Sequence, residues 1–178
     1  MKNLLVLGCI IILFSSCEEK PQRYFAESDE TKTLEAGIAS YESGNWDKWR
    51  SHFADTAKIY VNSKDAINLQ ARTEQLASMT GAFSSYGFEK DKAYIEMVLD
   101  KDNESWVYYW AQHSGTMKNG TEISMPVHLA VQFTDGKITA EHIYFDATDM
   151  NAAMEAMEMA AIAAEEAEMA ETESTEEN

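Results

Sequence analysis

The sequence is short of cations. Its 178 residues carry 14 Lys and Arg against 31 Asp and Glu, a formal net charge of −17. A nucleic-acid partner is excluded on that ground, because phosphate binding needs clustered Lys and Arg. Cysteine is almost missing, with only Cys9 and Cys17. The apolar run from Leu4 to Phe14 has eleven residues, too few for the ~20 that a helix needs to cross a bilayer core. There is no Gly-rich phosphate loop, no nucleophile elbow and no HExxH pair. What remains is ordinary for a single globular domain: 45% hydrophobic and 11% aromatic residues, enough to fill a core.

The short apolar run has the length of a signal-peptide core. It ends in Leu13-Phe14-Ser15-Ser16-Cys17, which resembles a bacterial lipobox. That resemblance implies removal of residues 1–16 and acylation of Cys17, for which more than one chain gives a stable membrane anchor. Cys9 would leave with the leader, so the mature body has no free thiol, and disulfides, Cys catalysis and Cys-based metal sites are excluded. Glu18-Glu19-Lys20 resembles the surface-export signal of some Gram-negative lipoproteins, implying the cell envelope, at the outer membrane or the cell surface. Residues 17–30 read as a tether.

The charge divides the chain at its other end. Residues 150–178 hold nine Glu and no cation, whereas 17–149 hold 22 acidic against 13 basic residues. The tail is rich in Ala, Met and Glu, all good helix formers. Met150, Met154, Met157 and Ala161 make a weak apolar stripe that could pack on the domain, dock a partner or form a homodimer. Fraying is expected over 171–178, where Glu opposes the helix dipole.

In the body, Leu34, Ile38 and Tyr41 recur at helical spacing and Gly44 stops the helix. Asn45 caps a second helix whose stripe is Trp46, Trp49 and Phe53. Lys58 to Val61 reads as a short strand and Asp65 to Thr80 as a third helix, with Leu69, Leu76 and Met79 inward. The second half alternates with period two and is punctuated by Asp102-Asn103, Asn119-Gly120 and Asp135-Gly136, the last two being strong hairpin signals. Two-residue turns at all three predict a meander in which Met97 faces Tyr108, Trp110 faces Leu129, and Leu129 faces His142. One face then collects Trp106, Tyr108 and Trp110 with Val127, Leu129, Val131 and Phe133. The class is therefore α+β: a curved antiparallel sheet covered by N-terminal helices, plus a C-terminal acidic helix.

The expected apolar face becomes polar at one end, where Gln112, Ser114, Tyr144 and Asp146 gather, with His142 one step further in. Incomplete filling by the helices would leave a pocket walled by Trp46, Trp49, Phe53, Trp106, Tyr108 and Trp110, suited to a small apolar ligand. Asp146 beside apolar walls would have a raised pKa suited to acid/base work, unless it merely caps the helix that follows. His142 lies roughly 13 Å from it along the strand, too far for a direct dyad. His113 and His128 are expected on the outer face with no third ligand in view, so no metal is assigned. Asp100, Asp102 and Glu104 lack the glycine and distal Glu of a calcium loop. No cofactor is implied.

Tyr41-x-x-Gly44-Asn45-Trp46, Phe53-Ala54-Asp55, Phe133-Thr134-Asp135-Gly136-Lys137-Ile138 and Tyr144-Phe145-Asp146 together resemble the nuclear-transport-factor-2-like superfamily, and within it SnoaL-like domains, over residues 31–149. The resemblance implies a cone with an internal pocket. Function stays open, because the superfamily holds cyclases, isomerases, epoxide hydrolases and non-catalytic binding domains. By resemblance to SnoaL-like cyclases, Asp146 is the position that could serve as acid/base. By resemblance to steroid isomerases, Tyr144 could donate to an oxyanion. An epoxide-hydrolase Asp-Arg-Asp set is not expected, since Arg23, Arg50 and Arg72 all lie off the predicted sheet. A protein-interaction module using the outer face and the tail is the third reading.

Overall fold

The computed structural model describes residues 21–176; the leader and Cys17 lie outside the described residues. The described residues form seven strands and four α-helices. They are β1 (Tyr24–Phe25), α1 (Asp29–Glu42), α2 (Trp46–Arg50), β2 (Phe53–Val61), α3 (Leu69–Thr80), β3 (Phe83–Phe88), β4 (Tyr94–Leu99), β5 (Ser105–Met117), β6 (Glu122–Thr134), β7 (Lys137–Phe145) and α4 (Thr148–Glu176). The strands form one sheet in the order β1-β4-β5-β6-β7-β2, and β3 pairs with the far half of β5. All neighbours are antiparallel except β2 and β7. The sheet curves around one apolar face, and α1, α2 and α3 lie across it.

Local chemistry explains the helix limits. Ser28 and Thr31 form a reciprocal capping box at the start of α1. At its end Gly44 takes φ +66°, and its N–H donates to Tyr41 O while that of Asn45 donates to Ser40 O. This is a Schellman stop that a side chain with Cβ would strain. Asn45 then caps α2 through the Lys48 N–H. Three boundaries differ from expectation. Phe53 does not continue the α2 stripe but opens β2. The third helix begins at Leu69 rather than Asp65, because Ile67 is held by two backbone bonds to Ile59, and only Asn68 is free to cap. Within the segment read as a tether, Tyr24–Phe25 pair with β4, and Arg23 O accepts from the Leu99 N–H.

The hairpins carry the main correction. At Asp102-Asn103 and Asn119-Gly120 the loops are three residues long, with Asn103 (φ 61°) and Gly120 (φ 89°) in the left-handed position at the end of the loop. The Asp100 N–H therefore donates to Glu104 O, and the Met117 N–H to Thr121 O. A type I turn with one extra left-handed residue moves the register by one place, and one place exchanges the two faces of a strand. Leu129 consequently opposes Tyr109, and Met97 opposes Val107. The residues of β5 that enter the core are Val107, Tyr109, Ala111 and His113, while Trp106, Tyr108, Trp110 and Gln112 point outward. Asp135-Gly136 is the expected two-residue turn, with φ values of 51° and 73°. Beyond it the pairing slips between Phe133–Ile138 and Gln132–Ala140. Thr139 is the extra residue of this bulge, so the rest of β7 is also reversed: Glu141, Ile143 and Phe145 turn inward, His142 and Tyr144 outward.

The core holds Leu34, Leu76, Ile59, Val107, Val131 and Ile138, among others. Gly115 is required where β3 crosses β5, since a Cβ there would stand 2.7 Å from Ser85 O. Helix α4 runs past Ala170 to Glu176. Met150, Ala153 and Met157 pack it onto the core, and Met159 and Ile162 further along are exposed.

Candidate functional site

A cavity of about 100 Å³ lies between the helices and the concave face of the sheet, roughly the space of a single small ring. Its walls are apolar: Leu34 and Ile38 from α1, Leu76 and Met79 from α3, Val127 and Leu129 from β6, with Met150 of α4 at the margin. Ionisable side chains share this lining, and four of them are Tyr41, Arg72, His113 and Glu141.

Each arrives there for a local reason. Arg72 lies three residues after Leu69 and four before Leu76, on the inward stripe of α3. Glu141 is turned in by the Thr139 bulge and His113 by the Gly120 hairpin. Tyr41 lies on the buried side of α1, where its hydroxyl is 3.0 Å from His113 Nε2. Tyr86 and Phe88 pack around this pair, and the Phe88 and His113 ring centroids are 5.0 Å apart.

The apolar wall shifts all four groups toward their neutral forms. Burial lifts Glu141 from an ordinary 4.5 to about 7, partly countered by the Arg72 charge. Burial lowers His113 from 6.5 to about 4, so its ring is neutral at pH 7. Burial raises Tyr41 well above the usual phenol range. It also lowers Arg72, against the attraction of Glu141, although a guanidinium keeps its proton. Three sealed polar atoms in the lining lack a hydrogen-bond partner among the described residues: Arg72 Nε, His113 Nδ1 and Glu141 Oε2. None of the ion pairs among the described residues involves Arg72. Buried polar atoms are nearly always satisfied in proteins, and three orphans around one cavity leave bonding capacity that water or a ligand can complete.

The residues expected from the sequence divide between two places. Trp49 and Phe53 line the cavity, with ring centroids 4.4 Å apart, and Trp46 packs behind Tyr41. Trp106, Tyr108, Trp110, Gln112 and Ser114 lie on the convex face because the three-residue loops reverse β5. His142 and Tyr144 lie there because of the β7 bulge. His142 stacks on Tyr60 at 4.3 Å and Trp110 on His128 at 4.2 Å. Gln112, Tyr144 and Asp146 do meet, but in an open outer groove with Tyr94 and Trp110, and Gln112 donates to Ser124. Asp146 is solvated and accepts from both the backbone and the hydroxyl of Thr148, which holds its carboxyl below the usual range. It is a helix cap for α4, not a pocket acid. Conversely His113, expected outside, is inside, and Glu141 is inside with it. Arg72 lay off the predicted sheet, as expected, yet reaches the cavity from α3. An arginine at helical spacing between two inward leucines was the one signal of this in the sequence. Among the described residues no group of three or more His, Cys, Asp or Glu is placed to hold a metal ion.

No family model matches the sequence, and no curated protein matches it. Solved structures do match. The chain is similar to a candidate SnoaL-like polyketide cyclase from Jannaschia sp. CCS1, with TM-score 0.57 and 14% identity over 74% of this chain and 94% of that one. TerC co-crystallised with polyporic acid matches with TM-score 0.55 and 14% identity over 70% of this chain and 96% of TerC. A protein of ketosteroid-isomerase-like fold from Catenulispora acidiphila, in complex with trimethylamine, gives TM-score 0.51 and 17% identity over 64% and 84%. The chain therefore shares the fold of these SnoaL-like and ketosteroid-isomerase-like structures.

Proposed function

We propose that this chain is a small-molecule-binding cone domain held at the cell envelope by a lipid on Cys17. Its ligand is a small, mainly apolar molecule whose polar group meets Arg72, Glu141 and the Tyr41–His113 pair. The observation that carries the reading is the ring-sized apolar cavity with three unpartnered polar atoms in its wall. Small organic molecules bound to TerC and to the Catenulispora protein support it by analogy of fold. Ligand-observed NMR with single-ring fragments tests it. Leu76→Phe fills the cavity and should abolish binding, while Trp110→Ala on the convex face should leave it unchanged. The opposite pattern would move the site to the outer groove. The leader and the Leu13–Cys17 pattern support the anchor, and Cys17→Ser should release the protein from membranes; full retention sinks that part.

A specific observation favours a second reading, acid/base turnover. A carboxyl poised at about 7 is matched to proton transfer near neutral pH, and it is Glu141, not Asp146. Proton–deuterium exchange next to the carbonyl of a small cyclic ketone would report it. Glu141→Gln should slow that exchange by about 10²–10⁴-fold, whereas exchange equal in both proteins leaves binding alone.

A further inference from the structure

The cavity lining holds one charge that cannot be shed, the Arg72 guanidinium. With His113 and Tyr41 neutral, its formal charge is set by Arg72 and Glu141 alone. These two are not in ion-pair contact, and each keeps a sealed atom without a partner. The two residues differ in how they can escape the cost of burial. A carboxylic acid can take up a proton and become neutral, whereas a guanidinium stays charged and needs an anion. The groups facing Glu141 do not offer a second cation or a competing acid. Arg72 approaches from α3, His113 and Tyr41 line the same cavity from β5 and α1, and its strand neighbours are Val131 on β6 and Ile59 on β2. Met150 is the contribution of α4 to the cavity lining.

We propose that the pocket selects a small apolar acid, bound as its carboxylate anion by the Arg72 guanidinium, with Glu141 protonated as a hydrogen-bond donor beside it. This rests on the pocket reading given above and names the ligand class within it. The planar fork of Arg72 matches a carboxylate, and the surrounding Leu, Ile, Val and Met side chains take the hydrocarbon. A neutral ligand of the same shape leaves the guanidinium uncompensated. A cationic one is repelled by it. Because the anion and an ionised Glu141 would repel each other at close range, binding takes up a proton, and affinity falls as pH rises through the range where Glu141 ionises.

Isothermal titration of the full-length protein with benzoate, benzamide and benzylamine, at pH 6 and pH 8, tests this. Benzoate should bind at least about tenfold tighter than benzamide at pH 6, and about tenfold tighter at pH 6 than at pH 8. Arg72→Gln should bring benzoate down to the level of benzamide. If that variant does not fold, the comparison of the three probes on the natural protein decides by itself. Equal binding of benzamide and benzoate overturns the anion assignment while the pocket reading stands. Benzylamine binding tightest overturns it in favour of Glu141 as the anchor. Failure of all three probes overturns the pocket reading together with the assignment.

Discussion

Replacing Glu141 by Gln should stabilise the protein at pH 8 and change it little at pH 4.5. Burial lifts this carboxyl from 4.5 to about 7, so the folded protein keeps the proton over a range in which the unfolded chain has released it. The protonated acid is fully compatible with folding below about 4.5. That compatibility is lost as pH rises through about 7, where folding must bury the charge. The difference between the two limits is about 3 kcal/mol, a large share of the 5–15 kcal/mol typical of a domain. His113 acts in the other direction. Its value falls from 6.5 to about 4, so stability is lost as pH falls through that range, by a similar amount. In the natural protein the two slopes offset each other between about pH 4.5 and 6.5. Glu141→Gln removes one slope and should expose the other as a steep acid limb. Urea unfolding followed by tryptophan fluorescence at pH 4.5, 6, 7 and 8 measures both effects. The difference between variant and natural protein isolates Glu141 from the exposed carboxylates, which titrate alike in both. A stability difference that is the same at pH 4.5 and pH 8, or a variant less stable at pH 8, would refute the reasoning.

Other substitutions test the geometry around the site. Gly115→Ala places a Cβ 2.7 Å from Ser85 O and 2.9 Å from Phe83 Cδ1; the β3–β5 pairing must part, and the urea midpoint should drop by the equivalent of about 1–3 kcal/mol. An unchanged midpoint would show that the strands do not cross so closely. Asn62→Gly keeps the left-handed backbone but deletes the amide that bonds both the carbonyl and the N–H of Phe145. Faster hydrogen exchange at the Phe145 amide and a loss of about 1–2 kcal/mol are expected. Asp146→Ala should reduce helical circular dichroism by loosening the start of α4 and leave ligand binding in the cavity intact. A loss of binding there would contradict the placement of Asp146 on the convex face.

Much of the fold was legible because single residues carried it. Gly44 and Asn45 mark one helix stop and the next start through backbone geometry that few other residues provide. Asp135-Gly136 specifies its turn by the same logic. The inward face of β6 was also readable, since Val127, Leu129, Val131 and Phe133 alternate with the smaller or more polar Pro126, His128, Ala130 and Gln132. β5 offered no such choice: Trp106, Tyr108 and Trp110 are as apolar as Val107, Tyr109 and Ala111, so composition did not set the phase. The turn set it, and Asn119-Gly120 is compatible with a loop of two residues or of three. In β7, both alternating sets mix polar and apolar residues, and the bulge at Thr139 has no strong local signature.

By itself the sequence determined the class of this protein: its α+β order, the stop of α1 and the start of α2, the hairpin positions, the acidic tail and the residues that resemble a lipoprotein leader. These depend on local backbone preference and on periodicity, which a chain carries wherever it folds. Tertiary structure decided which carboxyl lies in the pocket. One extra left-handed residue in a loop and one extra residue in a strand reverse which side chains face inward, because strand side chains alternate with a period of two. That reversal sends Asp146 to the solvent as a helix cap, and it sets Glu141 and His113 beside Arg72 against an apolar wall.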